Sequence, residues 1–179
     1  KLTFMGDAGN NVGNSLMVVC AKLGMDFCAC GPKEQMPSDE LVAQCREVAK
    51  ESGATITLTE DVDEGAAGAS VIYTDIWVSM GESSDLWAKR IELLSKYQVN
   101  AELMAKAADD AIFMHCLPSF HDRNTTIGED VFQKFGLPEL EVTDEVFESE
   151  RSRVFDEAEN RMHSIKAVIY ATLKDPESE

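Results

Sequence analysis

Apolar residues fall into short β-branched or aromatic runs, separated by longer stretches in which apolar positions recur every three or four residues. The first run, residues 2–5, predicts a strand that leads into a polar, glycine-bearing turn at 6–15 and then an apolar helix through Leu23. Residues 25–30 predict a second strand, closed by Gly31 and Pro32. Ser38 suits the N-cap of a helix over 39–51, with acids in its first turn and Gly53 beyond its end. A third strand is expected at 54–58, followed by a short helix ending near Gly68, for which Asp61 and Glu64 form a candidate capping box. A fourth strand is expected at 69–74, helical segments at 82–97 and 101–108, and a fifth strand at 111–114.

From 119 to 150 the chain is polar and acidic, and predicts a surface excursion with one short helix at 129–135. Asp156 and Glu159 predict a capping box for a last helix, where Ala158, Met162, Ile165, Ile169 and Leu173 form one apolar stripe. Residues after Lys174 read as a frayed end. This alternation predicts an α/β fold: a doubly wound, mainly parallel five-stranded sheet with helices on both faces, Rossmann-like.

Composition narrows the partners. The 179 residues suit one domain with a proper core, at 44% apolar and 27% charged. The net charge of −17, from 33 acids against 16 bases, argues against nucleic acid and anionic membranes, which demand a basic patch. The five cysteines are odd in number and include no C-x-x-C pair, which suits reduced thiols in the cytoplasm. No apolar run approaches the roughly 18 residues of a membrane span. The chain starts directly on a strand without an initiating Met, which implies that it begins inside a longer protein.

Candidate chemistry gathers past the strand ends, where open α/β sheets bind small ligands. After the fourth strand come Asp75, Ser79, Met80 and Gly81: an acid, a hydroxyl, a backbone N–H and a hinge. Asp75 reads either as a turn cap or as the partner of a ligand ammonium. In the first turn Asn10, Asn11 and Asn14 can cap the helix or bind an anion. The glycines there are spaced G-x-x-G-x-x-x-G and no acid ends the second strand, so a dinucleotide is not expected. His115 and Cys116 point to opposite sides of a strand and cannot readily form a nucleophile–base pair. Three scattered histidines do not make a metal site. Leu117-Pro118 allows a cis peptide that turns carbonyls into a cleft. Arg161 lies on the border of the last helix's apolar stripe, either snorkelling to water or reaching for an anion.

Four segments, 6–15, 75–81 (D-I-W-V-S-M-G), 115–118 (H-C-L-P) and 157–161 (E-A-E-N-R), together resemble the signatures of the ornithine carbamoyltransferases, in the right order across nearly the whole chain. The resemblance covers only the second, ornithine-binding half; the S-T-R-T and H-P-T-Q runs of the carbamoyl-phosphate domain are absent. Gly9 stands where many members have arginine.

The resemblance implies a carbamoyl transfer from carbamoyl phosphate to the δ-amine of L-ornithine, giving L-citrulline and phosphate, with neither metal nor cofactor. It implies that Asn11 and the Met80 N–H hold the α-carboxylate, with Asp75 and Ser79 on the α-ammonium. Cys116 would lie beside the δ-amine, the Cys116 and Leu117 carbonyls would face the carbamoyl NH2, and Arg161 would reach the carbamoyl phosphate. It further implies a carbamoyl-phosphate domain as partner and trimers of the complete enzyme. Two rival expectations are an enzyme acting on N-acylated ornithine, against which Asp75 counts, and a non-catalytic amino-acid-binding module.

Overall fold

In a computed structural model, residues 1–79 and 81–173 are described; Met80 and the expected frayed end at 174–179 lie outside them. Five parallel strands, β1 (Leu2–Met5), β2 (Phe27–Cys30), β3 (Ile56–Thr59), β4 (Val71–Thr74) and β5 (Ile112–His115), form one sheet in the order β3-β2-β1-β4-β5. Their register is the central geometric fact. Met5 pairs with Cys30 and Thr74, Cys30 with Thr59, and Thr74 with His115. All five strands therefore end on one rung, and the next residues are Gly6, Gly31, Glu60, Asp75 and Cys116. The chain winds one way from β1 to β2 and the other way to β4, so the switch point of this doubly wound sheet lies between β1 and β4.

Side chains alternate across the sheet. Leu2, Phe4, Phe27, Ala29 and Tyr73 face helices α1 (Asn11–Leu23) and α2 (Asp39–Ser52). Met5, Cys28, Cys30, Ile72 and Phe113 face the other layer. That layer holds α3 (Val62–Ala66), α4 (Trp87–Leu94) and α5 (Ala101–Met104). Helix boundaries follow from capping: Asn10 accepts from the Gly13 N–H and Ser38 from the Leu41 N–H. The Asp61 box is only half built. Asp61 accepts from the Asp63 and Glu64 amides, but its own N–H goes to Thr59 Oγ1, and Glu64 accepts from that same hydroxyl.

Two expectations need correction. The 119–150 segment is no surface excursion: besides α6 (Thr126–Phe135) it forms α7 (Asp144–Phe147), and it buries Phe120, Val131, Leu140, Val142, Val146 and Phe147 in the main core. Its apolar residues come singly or in pairs between turns, so no period betrays them. The last helix, α8 (Val154–Leu173), starts before Asp156, which leaves no box with Glu159. Its entry is set instead by β5, whose outer edge pairs with the chain on either side of Ser152. The Phe113 N–H donates to the Arg151 carbonyl and the Arg153 N–H to the Phe113 carbonyl, both at 2.9 Å. The α8 stripe is exposed, with Met162, Ile165, Ile169 and Leu173 at 51, 46, 50 and 79%. Among the described residues no helix is long and apolar enough to cross a membrane.

The ends of β1 and β2 approach so closely that a Cβ on Gly31 would overlap the Gly6 carbonyl oxygen. Gly31→Ala is expected to lower stability by about 1–3 kcal/mol, read from urea unfolding midpoints at unchanged m-value.

Candidate functional site

The common rung brings Asp75 and Cys116 side by side, because adjacent strands lie about 4.8 Å apart. Each is two residues beyond a residue of the α1 layer (Tyr73 and Met114), so both side chains point to that side of the sheet. The Cys116 thiol donates to Asp75 Oδ1 at 3.0 Å, and the Ile76 N–H donates to the same oxygen at 2.8 Å. Asp75 Oδ2 accepts from Asn10 Nδ2 at 2.9 Å. Asn10 is thus used twice, as the cap of α1 and as a brace on Asp75. The sequence offered three asparagines in this turn. Asn10 is the one that touches Asp75, whereas Asn11 is exposed at the first helical position.

Burial pushes the Cys116 thiol well above its ordinary value, and the Asp75 and Glu157 carboxylates push it further. A thiol so held stays protonated at neutral pH, which makes it a polarizable donor and wall rather than a nucleophile.

His115, one residue back, faces the opposite layer. Its Nε2 meets Glu141 Oε1 at 3.1 Å, and its Nδ1 meets the Cys116 carbonyl. The downward shift of Glu141 and the upward shift of His115 favour an ionised carboxylate against an imidazolium, in which both ring nitrogens donate. Burial pulls the His115 pKa down, but the Glu141 carboxylate outweighs it and the net shift is upward. Burial likewise penalises ionised Glu141, yet His115 and the Phe120 N–H bring its net shift down. Glu141 Oε1 also accepts from Ser119 Oγ at 3.1 Å and the Phe120 N–H at 2.6 Å. This fully buried acid was not found from the sequence, where it sits unremarked in an acidic stretch; its one signal is a flanking pair of apolar residues, Leu140 and Val142. The Leu117-Pro118 peptide is cis.

Arg90 on α4 was also missed. It bonds Asp7 Oδ2 at 2.9 Å, Glu82 Oε1 at 3.1 Å and the Gln35 side chain. Glu82 in turn accepts the Ser79 N–H at 2.7 Å. One guanidinium therefore ties the segment after β4 to the turns after β1 and β2. Burial raises the Asp7 pKa, and Arg90 works against that rise.

The remaining expected residues divide between two hollows. Cys116, Leu117 and Arg161 line a cavity of about 490 Å³, together with Glu157 and Asn160. Ser79 lines a separate one of about 210 Å³, with Ile76, Glu82, Trp87 and Phe120. Met80 lies outside the described residues. Asp75, His115 and Cys116 offer donor atoms within 4.8 Å of one another. Both His115 nitrogens are already committed, however, which leaves no lone pair for a metal.

Residues 1–172 match the model of a family described as aspartate/ornithine carbamoyltransferase, Asp/Orn binding domain. The chain is 61% identical over 173 residues to a catabolic ornithine carbamoyltransferase of Treponema denticola, covering 97% of this chain and 51% of that one. It is 55% identical over 174 residues to an ornithine carbamoyltransferase of Staphylococcus aureus, covering 97% and 52%. The crystal structure of the ornithine carbamoyltransferase from Gloeobacter violaceus superposes with a TM-score of 0.78 at 38% identity, over 97% of this chain and 51% of that one. The chain thus spans about half the length of the relatives it matches.

Four of the cysteines are buried, and Cys116 alone is partly exposed, so alkylation reports on the site. Asp75→Asn removes a charge that holds the thiol protonated, and is expected to speed iodoacetamide capture of Cys116 at pH 8 roughly tenfold per unit of lowered pKa; peptide mass spectrometry reads it. The His115–Glu141 pair predicts a stability plateau. The His115 contribution is complete below its ordinary 6.5 and fades as pH rises through the raised folded value. The Glu141 contribution is complete above its ordinary 4.5 and fades as pH falls through the lowered one. Glu141→Gln should cost about 3 kcal/mol on that plateau and flatten both flanks, measured by denaturant unfolding between pH 4 and 9.

Proposed function

The chain belongs to the aspartate/ornithine carbamoyltransferase family as its Asp/Orn binding domain, and we propose on that premise that it supplies the ornithine-binding half of an ornithine carbamoyltransferase. The observation that carries the reading is the braced Asp75 carboxylate against a protonated Cys116 at the switch point of the sheet. Such a carboxylate suits an amino-acid ammonium. Asp75 and Ser79 hold the α-ammonium, while Asn11 and the Met80 N–H take the α-carboxylate.

The δ-amine lies beside Cys116. A free ammonium with a pKa of about 10 has no lone pair to offer, so the reactive form is the neutral amine. Its nitrogen attacks the carbamoyl carbon, the C–N bond forms, and the C–O bond to phosphate breaks through a tetrahedral oxyanion. Phosphate carries away the bonding pair and takes up the proton that the nitrogen sheds. The Cys116 thiol orients the amine without joining it covalently, consistent with its raised pKa. One Cys116 carbonyl lone pair is taken by His115; the other, with the Leu117 carbonyl, is available to the carbamoyl NH2. Arg161 shares that cavity and binds the phosphate end. Closing the Arg90-tied segment over ornithine expels water and brings the reactants within attack distance.

The chain spans about half the length of its relatives, and on this reading the other half supplies the rest of the anion site. The exposed stripe of α8, Met162, Ile165, Ile169 and Leu173, is the surface we assign to a carbamoyl-phosphate domain, in an enzyme built on trimers. The free cysteines suit a cytoplasmic setting. The chain alone is then silent in citrulline formation. In the two-domain enzyme, Asp75→Ala is expected to cut kcat/KM for ornithine by about a hundredfold while the KM for carbamoyl phosphate stays within about twofold. Equal loss for both substrates, or citrulline made by the isolated chain, overturns the assignment.

A further inference from the structure

A second carboxylate lines the cavity that Cys116 lines. Glu157, in the first turns of α8, accepts from the Tyr73 hydroxyl through Oε1. Its Oε2 is buried and meets no hydrogen-bond partner among the described residues. Tyr73 is held in place by β4 and by stacking on Phe4, with ring centroids 5.7 Å apart, so it fixes the carboxylate on one side only. Glu157 shares the lining of the larger cavity with Cys116, Leu117, Asn160 and Arg161. Its charge reaches both neighbours: burial and then Glu157 push the Tyr73 phenol up, and Cys116 responds to burial, Asp75 and Glu157 in that order.

One carboxylate oxygen satisfies a phenol, whereas a buried acceptor left idle costs desolvation that nothing within the described chain offsets. An acceptor in that position calls for a donor from the ligand. Phosphate is repelled by it; an N–H group is attracted. Asp75 accepts from the Cys116 thiol and Glu157 lines the cavity that Cys116 also lines, so two carboxylates stand near the place of a substrate that carries two amines.

We propose that Glu157 is the hydrogen-bond acceptor for the reacting amino group of the diamino acid, and thereby a determinant of selectivity for substrates with two free amines. This rests on the carbamoyl-transfer reading above. Accepting an N–H hydrogen at Oε2 fixes the nitrogen's rotation and leaves its lone pair directed away from the carboxylate. Tyr73 is a positioning residue for Glu157 and makes no contact with the substrate.

The test is steady-state kinetics of the two-domain enzyme with Glu157→Leu, Glu157→Gln, Tyr73→Phe and the double variant Tyr73→Phe/Glu157→Leu, alongside thermal melting. Glu157→Leu should raise the ornithine KM about tenfold to a hundredfold, with the carbamoyl phosphate KM unchanged. Glu157→Gln, which keeps a carbonyl acceptor, and Tyr73→Phe, which keeps the carboxylate, should each stay within about threefold of the parent. The double variant replaces the buried pair with apolar groups and so tests the site even where the single leucine fails to fold. Persistent loss of ornithine affinity there supports the proposal. Recovery there shows that Glu157 serves only to satisfy Tyr73 and overturns it, as does a normal ornithine KM for Glu157→Leu. A parent enzyme that makes no citrulline overturns the carbamoyl-transfer reading and this inference together; an active parent with indifferent Glu157 variants overturns this inference alone.

Discussion

Five parallel strands that stop on the same rung are the constraint from which the site follows. A strand's side chains alternate, so residues one past the last pair are committed to a face before any helix packs. Asp75 and Cys116 leave neighbouring strands at the same level and must meet on the α1 side; Thr74 and His115, one step earlier, must turn to the other. A one-residue slip of β5 against β4 would exchange the faces and separate the acid from the thiol. The pairing of residues 151–153 along the outer edge of β5 protects that register and also sets where α8 begins. Sheet register thus governs both the Asp75–Cys116 contact and the start of the helix that carries Glu157 and Arg161.

The electrostatics divide by face in the same way. Toward α1 the acids Asp75 and Glu157 surround a thiol and a phenol that burial and charge keep neutral, which makes the hollow attractive to cations and hostile to thiolate chemistry. Toward the other layer, the imidazolium of His115 is neutralised by Glu141, and the pair ties β5 to the 119–141 segment. Arg90 adds a third arrangement at the rim, joining three turns through carboxylate and amide partners. Among the described residues two carboxylate oxygens here are buried without a hydrogen-bond partner, Glu141 Oε2 behind the His115 pair and Glu157 Oε2 beside Cys116 and Arg161 in the lining of the larger cavity.

The strand and helix order was legible because the β-branched runs are short, uninterrupted and separated by capped helices such as the one that begins after Ser38. Asp75 stood out as a candidate because it directly follows such a run, and Cys116 because it comes two residues after another. The choice among Asn10, Asn11 and Asn14 was not legible, since it depends on which asparagine takes the cap position, a matter of one residue's dihedral angles. Glu141 was illegible for a different reason: an acid among acids looks solvated, and only its complete burial against His115, Ser119 and the Phe120 N–H reveals otherwise. The period of α8 marks an apolar stripe, which the structure leaves exposed, because a period says that a face is apolar and not what covers it. Arg90 failed likewise, since a charged residue on a helical segment shows its period but not its partners in three distant turns.

On the proposed reading an amino-acid substrate binds at the Asp75–Cys116 junction. This is tested most directly by a crystal structure of the two-domain enzyme with ornithine and an unreactive carbamoyl phosphate analogue. The expected result is an ammonium nitrogen within about 3 Å of the Asp75 carboxylate, with the δ-nitrogen against the Cys116 sulfur and no covalent bond between them. Ornithine seated in another hollow, with Asp75 still occupied only by Asn10 and Cys116, would contradict it.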